Sequence, residues 1–158
     1  MNEYMKIAKE LSNESIENGT GGPFGACIVK DGKIIGKGSN HVLAHKDPTA
    51  HAEVMAIREA CKNIDSHDLT GCELYTSCYP CPMCLSAIIW SNIKTVYYGN
   101  TKEDTAKIGF RDDYIYNYIA KLTNNKEDDS VLKLINMDRE ETIEEFNKFA
   151  TKEDKKMY

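Results

Sequence analysis

The sequence predicts one α/β domain built on a mixed sheet with helices on both faces. Asp31-Gly32 between two apolar runs signals an opening β-hairpin. After it, β-branched and aromatic runs alternate with segments of helical periodicity. No internal repeat or linker-like stretch interrupts the 158 residues, a length that suits a single domain, 1–158, with a real core.

The elements follow in order. Met5, Ile7, Ala8, Leu11 and Ile16 recur at helical spacing in a segment, residues 1–18, that stops at Asn18-Gly19. Gly21-Gly22-Pro23 is loop, residues 24–30 form an apolar strand, and Ile34-Ile35 opens its hairpin partner. Thr49 is the expected N-cap of a helix over 50–62, with Val54, Ile57 and Ala60 or Cys61 turned inward. Residues 72–76 read as a strand, and Pro80 or Pro82 opens the next helix, which runs through Ile88-Ile89-Trp90. A strand over 93–98 ends at Gly99, and a helix covers 112–122. A polar loop (124–129), a further strand (131–135) and a helix (140–150) lead to a charged tail.

Composition narrows the function. Hydrophobic residues make up 41% and charged residues 28%, ordinary for a water-soluble globular chain. The formal charge is -5, with Lys and acidic residues interleaved, which disfavours a nucleic-acid partner because phosphate binding draws on a basic face. No stretch approaches the ~18 apolar residues of a bilayer span, so no membrane role is expected. The first residues, Met-Asn-Glu-Tyr-Met-Lys, lack the basic start and apolar run of a signal peptide, and the expected compartment is the cytoplasm. Six cysteines in such a chain point to metal binding or catalysis before disulfides.

The chemistry concentrates in His51-Ala52-Glu53 and Pro80-Cys81-Pro82-Met83-Cys84. Cys81 and Cys84, three apart at a helix start, can reach one metal ion, and the positive helix end favours their thiolates. Thiolate with imidazole suits Zn²⁺, and His51 supplies the third ligand, leaving one position for water as in catalytic sites. Two thiolates cancel the charge of the metal and leave its water less acidified, so a nearby carboxylate, Glu53, is useful as proton acceptor. Positions i and i+2 point to opposite sides of an ideal helix, so both roles require His51 and Glu53 to lie in the first turn. His-x-Glu followed by Pro-Cys-x-x-Cys is the pattern of zinc-dependent deaminases. Two rivals remain at this point. Cys78-x-x-Cys81-x-x-Cys84 has the spacing of some iron–sulfur ligands, although no fourth cysteine follows. A purely structural zinc in a binding module would need a fourth protein ligand. Cys27 and Cys61 read as small buried hydrophobes.

Longer segments carry a resemblance. Gly21-Gly22-Pro23-Phe24-Gly25-Ala26, Asp47-Pro48-Thr49-Ala50-His51-Ala52-Glu53, Tyr75-Thr76-Ser77-Cys78 with the cysteine motif, and Gly109-Phe110-x-Asp112-x-x-Ile115-Tyr116 resemble bacterial guanine deaminases of the cytidine-deaminase-like superfamily. Superfamily members act on cytosine, cytidine, guanine or tRNA adenosine, and the flanking segments favour guanine. The resemblance implies a three-layer α/β/α fold with a mixed five-stranded sheet. It also implies a zinc cofactor, a small nucleobase as partner, and a homodimer in which a C-terminal segment, about 151–158, helps cover an active site. Carried over residue by residue, it makes Asn40 and Asp112 substrate-binding candidates, Phe24 a stacking residue and Tyr158 part of the lid. Phe24 also reads as core, Asn40 as a turn residue, and a charged tail as frayed. Guanine offers O6 and N7 as acceptors, which an Asn40 amide N–H meets. Its amino group beside a ring N–H suits the carboxylate of Asp112. Tyr79 departs from the resemblance, standing where the family usually has glutamate.

Overall fold

The computed structural model describes residues 1–157, whose contacts form two compact units, Met1–Ile115 and the segment from Tyr116 onward. The first unit contains α1 (Glu3–Glu17), β1 (Gly25–Lys30), β2 (Lys33–Ser39), α2 (Val42–His45), α3 (Ala52–Ile64), β3 (Glu73–Cys78), α4 (Pro82–Trp90), β4 (Thr95–Asn100) and α5 (Lys102–Lys107). Asn2 caps α1 by accepting hydrogen bonds from the Tyr4 and Met5 N–H groups. The hairpin turns through Asp31 (φ 49°) and Gly32 (φ 72°), the pair of left-handed residues that a two-residue turn matched to strand twist requires.

The sheet is mixed, in the order β2-β1-β3-β4. β1 runs antiparallel to both neighbours, whereas β3 and β4 are parallel with α4 as their crossover. Alternation along β1 sorts its side chains. Ala26 and Ile28 join Ala52, Ala56, Leu74 and Ile88 in the cluster beneath α3 and α4, while Cys27 and Val29 join Tyr75, Tyr4 and Ile7 beneath α1. The first unit therefore has helices on both faces of its sheet.

A bulge sets how closely α3 approaches. Gly36 pairs with Ile28 and Ile34 with Val29, so Ile35 is the additional residue. Beyond it, Gly36 and Gly38 face α3, whose Ala52, Ala56 and Ala60 form a small-residue surface one turn apart. A Cβ on Gly36 would lie 2.7 Å from the Ala60 nitrogen. The face of α3 pressed on β2 is thus this alanine row; of the positions expected inward, Ala60 is buried in it, Ile57 and Cys61 pack half-buried against the same core, and Val54 does not join it. Side chains of α3 also cover the outer edge of β2. Glu59 accepts from the Lys37 N–H, and Asn63 Nδ2 donates to the Ile35 carbonyl at 2.9 Å.

Among the described residues the sheet has four strands, not five. The strand expected at 131–135 is absent, and the backbone at its start bonds locally instead. Val131 and Leu132 N–H both donate to the Asp128 carbonyl, and Tyr118 donates its hydroxyl to the Leu132 carbonyl. An apolar run alone does not supply the neighbouring backbone that a strand needs. α6 (Asp112–Thr123) runs into the second unit, where Lys121 Nζ meets Asp128 at 2.6 Å and α7 (Arg139–Thr151) closes the chain. Among the described residues no helix is long and apolar enough to cross a membrane.

Gly38→Ala tests the close approach. Its methyl would strike the carbonyl of Ala52 and the nitrogen of Ala56, backbone atoms that have no rotamer with which to yield. Urea unfolding should show a loss of about 2 kcal/mol or more, the range of an overpacked core.

Candidate active site

α3 and α4 both begin at one end of the sheet. His51 is the N-cap of α3 (φ -72°, ψ 154°), which places Glu53 at the second helical position. Thr49 is not the cap, contrary to expectation. Its N–H and hydroxyl both donate to Asp47 Oδ1, closing a turn before the helix. A residue at the N-cap has extended rather than helical backbone, so the opposed directions of i and i+2 on an ideal helix do not apply to His51 and Glu53. Cys81 is likewise the N-cap of α4, with Pro82 at the first helical position, and its Sγ accepts from the Cys84 N–H at 3.5 Å.

These caps bring three donors together. Cys81 Sγ and Cys84 Sγ each lie 3.6 Å from His51 Nδ1, and all three ligand atoms fall within 4.8 Å of one another. A tetrahedron with zinc–sulfur bonds of about 2.3 Å and a zinc–nitrogen bond of about 2.05 Å has a sulfur–nitrogen edge of about 3.6 Å. The donor set and its spacing fit zinc. Among the described residues no other group of three or more His, Cys, Asp or Glu converges in this way, and no fourth ligand joins it. Cys78 is turned elsewhere, with its Sγ 2.7 Å from Thr105 Oγ1, which removes the basis for an iron–sulfur cluster. All six cysteines are free.

The electrostatics divide the two thiols. Hydrogen bonds from Cys84 and His51 hold the Cys81 thiol well below its ordinary value, whereas the hydrogen bond to Cys81 and burial raise the Cys84 thiol. His51 is raised above its ordinary value, first by its hydrogen bond to Cys81. Glu53 is 5% exposed and its carboxyl is raised by burial, then by the charge of Cys81. Its Oε2 accepts from Cys84 Sγ at 3.4 Å, and Thr76 Oγ1 donates to Oε1 at 3.5 Å.

The donors open into a cavity of about 620 Å³, within the usual size of a small-molecule site. It lies where β3 ends, β2 ends and β1 begins, and its lining includes Phe24, Asn40, His51, Glu53, Cys81 and Asp112. Asn40 is 3% exposed and fixed on several sides. Its N–H donates to the Phe24 carbonyl, its carbonyl accepts from Thr20 Oγ1, and its Oδ1 accepts from the Val42 N–H at 3.2 Å. That arrangement leaves the Nδ2 amide as the donor available to a ligand. Asp112 has its carboxyl raised by partial burial, then by the charge of Cys81. Phe24 packs on the core cluster and also lines the cavity, with its ring edge-on to Phe110 at 4.8 Å. Tyr158 lies outside the described residues.

Four residues given no role by the sequence join the site: Tyr79, Phe110 and Arg111 on the cavity wall, and Thr76 behind Glu53. Thr76 had a signal, since a hydroxyl in the otherwise apolar middle of a strand needs a buried partner. The others come from loops that only the fold brings together.

Residues 1–100 match the cytidine and deoxycytidylate deaminase zinc-binding region. The chain belongs to this family of zinc-dependent deaminases, which are hydrolases, and its cofactor is zinc. It is 53% identical over 118 residues to guanine deaminase of Bacillus subtilis, covering 75% of this chain and 76% of that protein. Its structure is similar to the X-ray structure of guanine deaminase from Bacillus subtilis, with a TM-score of 0.90 at 44% identity, covering 100% of this chain and 99% of the other. It is also 45% identical over 95 residues to the tRNA-specific adenosine deaminase of Aquifex aeolicus, covering 60% of this chain and 62% of that protein.

Zinc uptake by the metal-free protein should release protons. The raised Cys84 keeps its proton at neutral pH when metal-free and gives it up as a thiolate ligand, so about one proton or more per zinc should appear in weakly buffered solution. The sign follows directly: affinity falls as pH falls. A pH electrode during zinc titration reads it, and no proton release would contradict the assignment of protons to the pair.

Proposed function

We propose that this protein hydrolyses guanine to xanthine and ammonia, with His51, Cys81 and Cys84 holding zinc and Glu53 as the catalytic residue. The observation that carries the reading is the pairing, in one cavity beside the three donors, of a buried Asn40 amide with the Asp112 carboxylate. The likeness to the Bacillus subtilis guanine deaminase over the full chain supports it.

Zinc bound there supplies an activated water as nucleophile. With zinc held there, Glu53 would take one proton of the water and pass it to a ring nitrogen as the oxygen bonds the amino-bearing carbon. It would then take the remaining hydroxyl proton and deliver it to the amine, which leaves as ammonia when the C–N bond breaks. The raised affinity of a buried carboxyl for protons suits a group that must hold a proton between steps. Asn40 donates from Nδ2 to the O6 and N7 edge, and Asp112 accepts from the amino group and the adjacent ring N–H. Cytosine and adenine present a ring lone pair beside their amino group, which an ionised Asp112 repels. Phe24 offers its ring to the base.

We further infer that the working particle is a homodimer in the cytoplasm, with a C-terminal segment bearing Tyr158 completing a site. Sedimentation should give two chains per particle, and a monomer that remains fully active would overturn this arrangement.

Ammonia release over a panel of guanine, cytosine, adenine and a tRNA substrate tests the assignment, with guanine expected to dominate. Glu53→Ala should keep its zinc and fold while kcat falls by about 10²-fold or more, the range of general acid–base catalysis. Near-normal turnover would refute the mechanism.

A further inference from the structure

The mechanism leaves one wall of the cavity without a task. Tyr79 lies between Cys78 and the ligand Cys81, half-buried, and lines the cavity. Its backbone is pinned, since its N–H donates to the Asn100 carbonyl at the end of β4 at 2.8 Å. Its ring is pinned as well. The ring of Tyr98 stands against it at 5.0 Å and 79°, and the Lys102 ammonium lies 4.5 Å from its centroid. An edge-to-face pair and a cation over the ring are both attractive, and together they hold the side chain from two directions.

A pinned ring differs from a merely adjacent one. A tyrosine has few rotatable bonds, and fixing them before a ligand arrives removes most of the ordering penalty of contact. The polar groups that read the edge of a base, Asn40 and Asp112, fix its position within its plane but leave its faces to apolar surface. Phe24 is one such surface, braced by Phe110 in the same way that Tyr79 is braced by Tyr98. The cavity thus carries two separately braced aromatic side chains beside its polar readers.

We propose that Tyr79 is a substrate-contacting residue that holds the bicyclic base by its ring, so that affinity for a purine depends on this side chain. The proposal rests on the guanine reading above and deepens it. The ring carries the effect, not the hydroxyl, because both bracing contacts are made by the ring. The expected signature is therefore a change in KM with little change in kcat, since the wall acts equally on the bound substrate and on the transition state.

The test measures steady-state deamination of guanine, and equilibrium binding of xanthine, by the zinc-loaded wild-type protein and by Tyr79→Ala, Tyr79→Leu and Tyr79→Phe. Tyr79→Ala should raise KM and weaken xanthine binding about ten-fold, the scale of one lost aromatic–base contact, with kcat changed by no more than about two-fold. Tyr79→Leu should fall between, and Tyr79→Phe should recover most of the loss. Zinc is counted per chain for each variant, because Cys81 is two residues away; if Tyr79→Ala holds less than one zinc, the comparison of Leu with Phe is decisive. A KM within two-fold of wild type in the truncated variants overturns the proposal, as does a Phe variant as impaired as Ala. If the wild-type protein acts on a different base, the guanine reading fails, and the same comparison on that base still decides the role of Tyr79.

Discussion

α3 and α4 each place a zinc-ligand candidate at the N-cap, His51 on one and Cys81 on the other, and the rest of the site is arranged around that convergence. The cap is the one helical position with extended backbone, so its side chain leaves the helix at an angle unavailable further in. From there Glu53 and Cys84 follow as the second and third helical residues, inside the first turn, where unpaired N–H groups and the helix dipole favour negative charge. Two thiols and a carboxyl at these helix starts draw on the same physical source. The sheet fixes the distance between the two helices, since α3 rests on β2 and β1 while α4 links β3 to β4.

That crowding of acidic groups produces the electrostatic character of the centre. Cys81 takes the negative charge, supported by donors from Cys84 and His51, and the neighbouring Glu53 and Asp112 are both raised, burial acting first and the Cys81 charge adding to it. A divalent cation would reverse the sign of this local field. The site is thus strained electrostatically in a way that a metal relieves, while Glu53, buried and near the donors, stays outside the group of three.

Much of this was legible in the sequence. The His-x-Glu and Cys-x-x-Cys motifs carry ligand identity because metal chemistry restricts residue type and spacing, and Asp31-Gly32 carries its turn because few residue pairs adopt two left-handed conformations. What was not legible depends on partners distant in sequence. Thr49 resembles a cap until Asp47 claims its hydroxyl. Residues 131–135 resemble a strand until Asp128 and Tyr118 take the backbone of Val131 and Leu132. Ala60 faces inward as its spacing suggests, but Ala52 and Ala56 rather than Val54 complete the row on β2, because the opposing surface of β2 is glycine. Tyr79 was marked only as a departure from the resemblance, and its bracing by Tyr98 and Lys102 exists only once the end of β4 meets the end of β3.

The glycine–alanine seam between β2 and α3 has a further meaning for how the site ages in evolution. Its spacing is set by main-chain atoms and methyl groups, which have no alternative conformers and yield little under load. A register defined this way acts as a fixed datum for the start of α3, where His51 sits. The same stiffness removes any means of repair, because no flexible neighbour can take up an added methyl at Gly36 or Gly38. Drift in this fold should therefore collect in the cavity loops, where chemistry is selected, and leave the seam that locates the metal unchanged.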